Sequence, residues 1–212
     1  MDLLTQFVDL FLHLDTHLSQ VIAQYGTWTY LILFVIVFCE TGLVVTPFLP
    51  GDSLLFAAGT FAALGQLDVW LMMLLLMAAA VLGDTVNYWV GAAIGPRAFS
   101  GDVKFLKKEH LDRTRAFYER HGGKTIILAR FVPIVRTFAP FVAGVGTMSY
   151  QRFVLYNVVG AALWVGLLVP AGFYFGNIPV VRENFTIVIL AIVAISVTPI
   201  AIEAVRGRRR TA

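Results

Sequence analysis

Residues 124–149 read KTIILARFVPIVRTFAPFVAGVGTMS. By hydropathy alone this stretch is a membrane span, yet Arg130 and Arg136 sit in its middle, with Pro133 between them and Pro140 beyond. Each arginine at the centre of a spanning helix costs about 2.5–3.5 kcal/mol, and an internal proline breaks or kinks a helix. A single lipid-facing helix is therefore disfavoured, and the stretch is expected to enter and leave the membrane on one side. Non-helical backbone at membrane depth is tolerated only where protein or a water-filled cavity covers it. A polar cavity follows from these residues alone.

The surrounding chain supplies the membrane. Of 212 residues, 58% are hydrophobic and 14% charged, against about 25% charged in an ordinary soluble domain. The mean hydropathy is +0.80. A water-soluble globule of this composition would expose too much apolar surface, so a cytosolic enzyme, a nucleic-acid-binding domain and a disordered chain are excluded. The expected class is an all-α polytopic membrane protein. Cys39 is the single cysteine, which allows neither an internal disulfide nor a cysteine metal site.

Charge distribution sets the topology. Residues 1–96 contain no Lys or Arg; eight of the sixteen basic residues lie between Arg97 and Lys124, and Arg206, Arg208, Arg209 and Arg210 form the tail. Both blocks are expected on the cytoplasmic side and in contact with anionic lipids. Residues 150–176 and 183–205 read as two spans separated by a turn at 177–182. If 124–149 returns to its own side, the basic tail lands in the cytoplasm; if it spans, the tail lands outside. Cost and parity thus agree. Arg152 and Arg182 fit interfacial positions, where a long side chain reaches water.

Upstream, residues 1–26 hold an amphipathic helix, with Asp2, Thr5, Gln6, Asp9, His13, Thr16 and Gln20 on one face. No basic region followed by a short apolar core precedes a cleavage site, so no signal peptide is expected. Residues 27–45 are apolar up to Glu40 and long enough to cross. Residues 46–66, TPFLPGDSLLFAAGTFAALGQ, contain Pro47, Pro50 and Asp52 and read as a second re-entrant segment, entering from the outer side. Both termini are then cytoplasmic. Residues 67–94 form a long helix, and the basic loop 95–123 carries an amphipathic helix closed by Gly122-Gly123. Phe48-Leu49-Pro50 with Asp52 and Ala58-Gly59 can be set beside Phe131-Val132-Pro133 with Arg136 and Ala143-Gly144. Opposite entry sides make this an inverted repeat, the arrangement in which transporters place substrate near the midplane. The domain plan is 1–26, a membrane domain 27–176, and 177–212 with the last span and the basic tail.

These stretches carry a family resemblance. Glu40-Thr41-Gly42, Pro47 to Ser53, Gly83-Asp84 with Asn87 to Gly91, His121 to Lys124, and Arg130 to Thr137 with Ala143-Gly144 resemble the DedA family of bacterial inner-membrane proteins, also called the SNARE-associated or VTT-domain superfamily. The resemblance covers about two-thirds of the chain, from Phe38 through Gly176. It implies two facing re-entrant hairpins and a transporter that returns undecaprenyl phosphate across the bacterial inner membrane, dependent on the proton motive force. Distant eukaryotic relatives are lipid scramblases, and a phospholipid scramblase or a proton-coupled small-cation or drug antiporter is the alternative. The family's acidic pair and arginine pair match Glu40, Asp52, Arg130 and Arg136.

The chemistry of these four is specific. On one unbroken helix Arg130 and Arg136 would lie about 240° apart; a bend at Pro133 can turn both guanidiniums to one cavity, where their forks suit phosphate oxygens. The plainer role is an ion pair with Glu40 or Asp52 that holds the hairpins. Glu40 is either a proton carrier or a permanent salt-bridge partner. Asp52, after Pro50-Gly51, is either an N-cap or a functional charge. Ser53, Asp84, Asn87, Tyr88 and Thr137 are candidate cavity-lining residues; Asp84, Asn87 and Tyr88 share a helix face. Gly91 with Gly95, and Gly172 with Gly176, are spaced for close helix packing. His13, His17, His110 and His121 lie outside the broken segments, and no Gly-x-Ser-x-Gly turn exists, so an enzyme acting on lipid phosphates is not expected. No cofactor or metal is called for; the expected partners are a phosphate-bearing lipid, anionic membrane lipids and protons, without nucleic acid, and a homo-oligomer is compatible with the sequence.

Overall fold

The computed structural model describes residues 26–43, 51–65, 67–95 and 108–183. Among the described residues every regular element is helical: α1 (Trp28–Gly42), α2 (Gly51–Ala63), α3 (Val69–Ile94), α4 (Lys108–His121), α5 (Thr125–Ala129), α6 (Pro133–Val142), α7 (Tyr150–Gly176) and α8 (Pro179–Glu183). The N-terminal amphipathic helix up to residue 25, the prolines of 46–50, the basic residues of 97–107, and the last span beyond residue 183 with its tail lie outside the described residues.

α3 and α7 are long and apolar enough to cross a bilayer. At 26 and 27 residues they extend about 40 Å, against a hydrocarbon core of about 30 Å. Their outward faces are apolar: Leu74, Leu82, Leu155, Leu163 and Leu167 are all exposed, as a lipid-facing helix requires. α1 has 15 residues, fewer than the expected 27–45. α2 begins at Gly51, so Asp52 stands inside its first turn. There its charge meets the positive end of the helix dipole, a correction to the N-cap position.

The stretch 124–149 is broken where Pro133 demands it. After the turn Gly122–Lys124, α5 stops as the Phe131 and Val132 amides donate to the Leu128 and Ala129 carbonyls at 3.2 and 2.8 Å. Val132 is extended at φ −121°, ψ 104°, the conformation a following proline imposes. Pro133 then opens α6, where its missing N–H costs no hydrogen bond, and the Arg136 amide donates to the Val132 carbonyl at 2.9 Å. The break leaves Arg130 at the end of one short helix and Arg136 in the first turn of the next. Beyond α6 a π-helical turn, Ala143–Thr147, ends at Gly146 with φ 127°.

The described residues form two compact units. In the unit made of 33–43, 73–95 and 108–167, α3 packs against α6 and the turn after it. A Cβ at Gly91 would fall on the Phe141 carbonyl, and one at Gly144 on the Tyr88 carbonyl. The aromatic core includes Tyr88, stacked on Phe153 at 4.5 Å between centroids, with its hydroxyl donating to the Met148 carbonyl at 2.9 Å. Tyr118 of α4 donates to the Ala139 carbonyl at 2.9 Å; burial pushes its phenol well above the ordinary value of 10, so it remains a donor. In the other unit, α2 crosses the end of α7 through glycine. A Cβ at Gly59 would strike the Val169 carbonyl and one at Gly172 the Phe56 carbonyl, while Thr60 Oγ1 donates to the Gly172 carbonyl at 3.2 Å. Gly95 corrects the packing expectation. Its φ is +62° and nothing lies near its Cβ position, so it terminates α3 in the left-handed conformation.

Candidate functional site

The site lies within the unit of 33–43, 73–95 and 108–167. Arg130 is 5% exposed. Its Nη2 donates to Asp84 Oδ2 at 2.5 Å and to Asn157 Oδ1 at 2.6 Å. Asn157 Nδ2 donates in turn to the Val81 carbonyl at 3.0 Å, which orients the amide so that its oxygen faces the arginine. Arg136 forms an ion pair with Glu40, and Glu40 is buried. A cation in an apolar surrounding survives only when paired and hydrogen-bonded, and each guanidinium has a carboxylate. The pairing departs from the sequence expectation in one respect: Asp84, read as a cavity-lining polar residue, is the counterion of Arg130.

Both pairs line one cavity. Its wall includes Glu40, Thr41, Asp84, Arg130, Arg136 and Thr137, with Trp164 also facing it, and its volume of about 20 Å³ accommodates roughly one water. Asn87 and Tyr88 do not line it. Asn87 Nδ2 donates to the Thr41 carbonyl at 3.2 Å and the Thr137 carbonyl at 2.9 Å, bracing α1, α3 and α6 around the charges. Asp52 and Ser53 belong to the other unit. The described residues hold no group of three His, Cys, Asp or Glu side chains for a metal.

Asn157, Gly160 and Trp164 escaped the sequence reading because they sit in a span that looks ordinary. The available signal was an asparagine about two turns into 150–176, followed at helical spacing by a glycine and a tryptophan.

Comparison with known proteins identifies the family of the chain. Residues 49–174 match the VTT domain. Protein DedA of Escherichia coli strain K12 is 55% identical over 215 residues, covering 100% of this chain and 98% of that protein. An uncharacterized membrane protein of Mycobacterium leprae is 44% identical over 176 residues, 82% of this chain and 79% of the relative. Inner membrane protein YqjA of Escherichia coli strain K12 is 36% identical over 152 residues, 71% of this chain and 69% of that protein. No solved structure matches.

Proposed function

The chain belongs to the DedA family of VTT-domain membrane proteins, and on that premise we propose that it moves a phosphate-bearing polyprenyl lipid, undecaprenyl phosphate, across the bacterial inner membrane with the help of the proton motive force. The observation that carries this is the convergence of two ion-paired guanidiniums on one small buried cavity. Intramembrane ionisable groups are costly and mark function by default. Guanidinium forks match the oxygens of a phosphate monoester. A phosphoryl group enters by replacing a carboxylate on a guanidinium, and a proton on the released Glu40 balances the exchange. The cavity must widen for this, since its present volume suits about one water. In this proposal 124–149 is re-entrant, 46–66 is its inverted counterpart, both termini are cytoplasmic, and the protein transfers lipid without chemical change.

Arg136→Lys tests the fork: it keeps the charge and loses the bidentate geometry. In a strain lacking its paralogues it should fail to complement at normal expression. Full complementation would defeat the bidentate role. A proton-coupled antiporter of small cations is the second reading, favoured by the small cavity with two carboxylates; cation flux without lipid transfer in liposomes would select it.

A further inference from the structure

Three residues of α7 form a bed for the arginines. Asn157, Gly160 and Trp164 are spaced i, i+3 and i+7, which places them within about 60° of one another on the helix. Asn157 accepts from Arg130 Nη2 at 2.6 Å. Gly160 leaves room for the arginine stem: a Cβ there would lie 3.0 Å from Arg130 Nε and 3.2 Å from its Cδ. Trp164 is 2% exposed, faces the cavity, and has its ring centroid 5.7 Å from Cζ of both Arg130 and Arg136.

We propose that Trp164 is a positioning residue for anion binding: its indole seats both guanidiniums so that one phosphoryl group is addressed by the two together. This rests on the phosphate-lipid reading above. Two cations held close repel each other, and the negative face of an aromatic ring offsets that repulsion. An indole face also leaves the guanidinium N–H donors free, whereas a carboxylate occupies them. When the Glu40 carboxylate leaves Arg136, the ring keeps the guanidinium in place without competing for the phosphate oxygens. Arg130, clamped by Asp84 and Asn157, is the fixed member of the pair, and Arg136 is the one that exchanges partners.

The test uses the full chain in liposomes, with a tail-labelled polyprenyl monophosphate and the matching neutral polyprenol. Trp164→Phe keeps an aromatic face and should hold the half-saturating concentration within about threefold of the unsubstituted protein. Trp164→Leu removes it and should raise that concentration about tenfold, with the maximal rate little changed. Equal behaviour of the two variants would overturn the proposal. A second measurement does not depend on those variants folding. Trp28, Trp70 and Trp89 are exposed, and replacing them with Phe leaves Trp164 as the only indole. Its emission should change saturably with the monophosphate, not with the polyprenol, and the change should vanish on adding Arg136→Gln; a flat titration with the monophosphate would overturn the proposal. Inorganic phosphate producing the same change would assign the bed to a free phosphoryl group, and a change with the lipid monophosphate but not with inorganic phosphate would assign the headgroup; either supports the role of Trp164. If the unsubstituted protein neither binds nor transfers the monophosphate, the functional reading falls and takes this proposal with it. Normal transfer by both the unsubstituted protein and Trp164→Leu would sink the proposal alone.

Discussion

Arg130 is a buried cation held by one carboxylate and one amide oxygen, and among the described residues its Nε has no acceptor. Asp84→Ala would strand that cation. Breaking a buried pair costs about 3–5 kcal/mol, so the variant should melt well below the parent protein in detergent, as followed by circular dichroism. Asp84→Asn keeps an oxygen acceptor and should lose less. Glu40→Gln retains the hydrogen-bonding shape toward Arg136 but cannot release a proton. Its transport should be slow and insensitive to pH; normal transport that still responds to pH would remove Glu40 from proton coupling. Glu40, Arg130 and Arg136 were legible in the sequence because a charge in an apolar run stands out. Their pairing was not. Glu40 and Arg136 are 96 residues apart, and nothing in either neighbourhood says that Asp84, rather than Asp52, answers Arg130.

Elements are positioned here by backbone approach. Gly91→Ala would push a methyl into the Phe141 carbonyl, and Gly172→Ala into that of Phe56; backbone cannot yield as a side chain can. Both should lower the melting temperature sharply and reduce yield. Gly166 on the same long helix meets nothing within 4 Å, so Gly166→Ala should be neutral or stabilising by up to about 1 kcal/mol. If all three behaved alike in thermal melts, glycine packing would not be what sets these crossings. The break at Pro133 was readable, because proline restricts both itself and Val132, and so was the α7 span, found at 150–176 as expected. Asn157, Gly160 and Trp164 were not singled out: a helix that is apolar all round gives no periodic contrast to show which face meets protein. Gly95 misled for a related reason, since spacing alone does not separate a packing glycine from one that ends a helix.

For the whole molecule, membrane insertion follows from composition and from α3 and α7, whose exposed leucines have no place in water. Orientation is predicted from the basic residues of 97–124 and 206–210, which the positive-inside bias puts in the cytoplasm. Cys39 is the only cysteine, so a Cys39→Ser background accepts single reporter cysteines. Reporters at Ser100 and Thr211 should both react with a membrane-impermeant maleimide only in inside-out vesicles. A reporter at 211 labelled from the outside would mean that 124–149 spans the membrane and is not re-entrant. Phosphate-lipid transfer is read directly from the movement of tail-labelled undecaprenyl phosphate between leaflets of liposomes holding the purified protein, under an imposed pH gradient. We predict transfer that requires the protein, quickens with the gradient and collapses in Arg136→Lys. No transfer above protein-free liposomes, or a cation flux in its place, would contradict it.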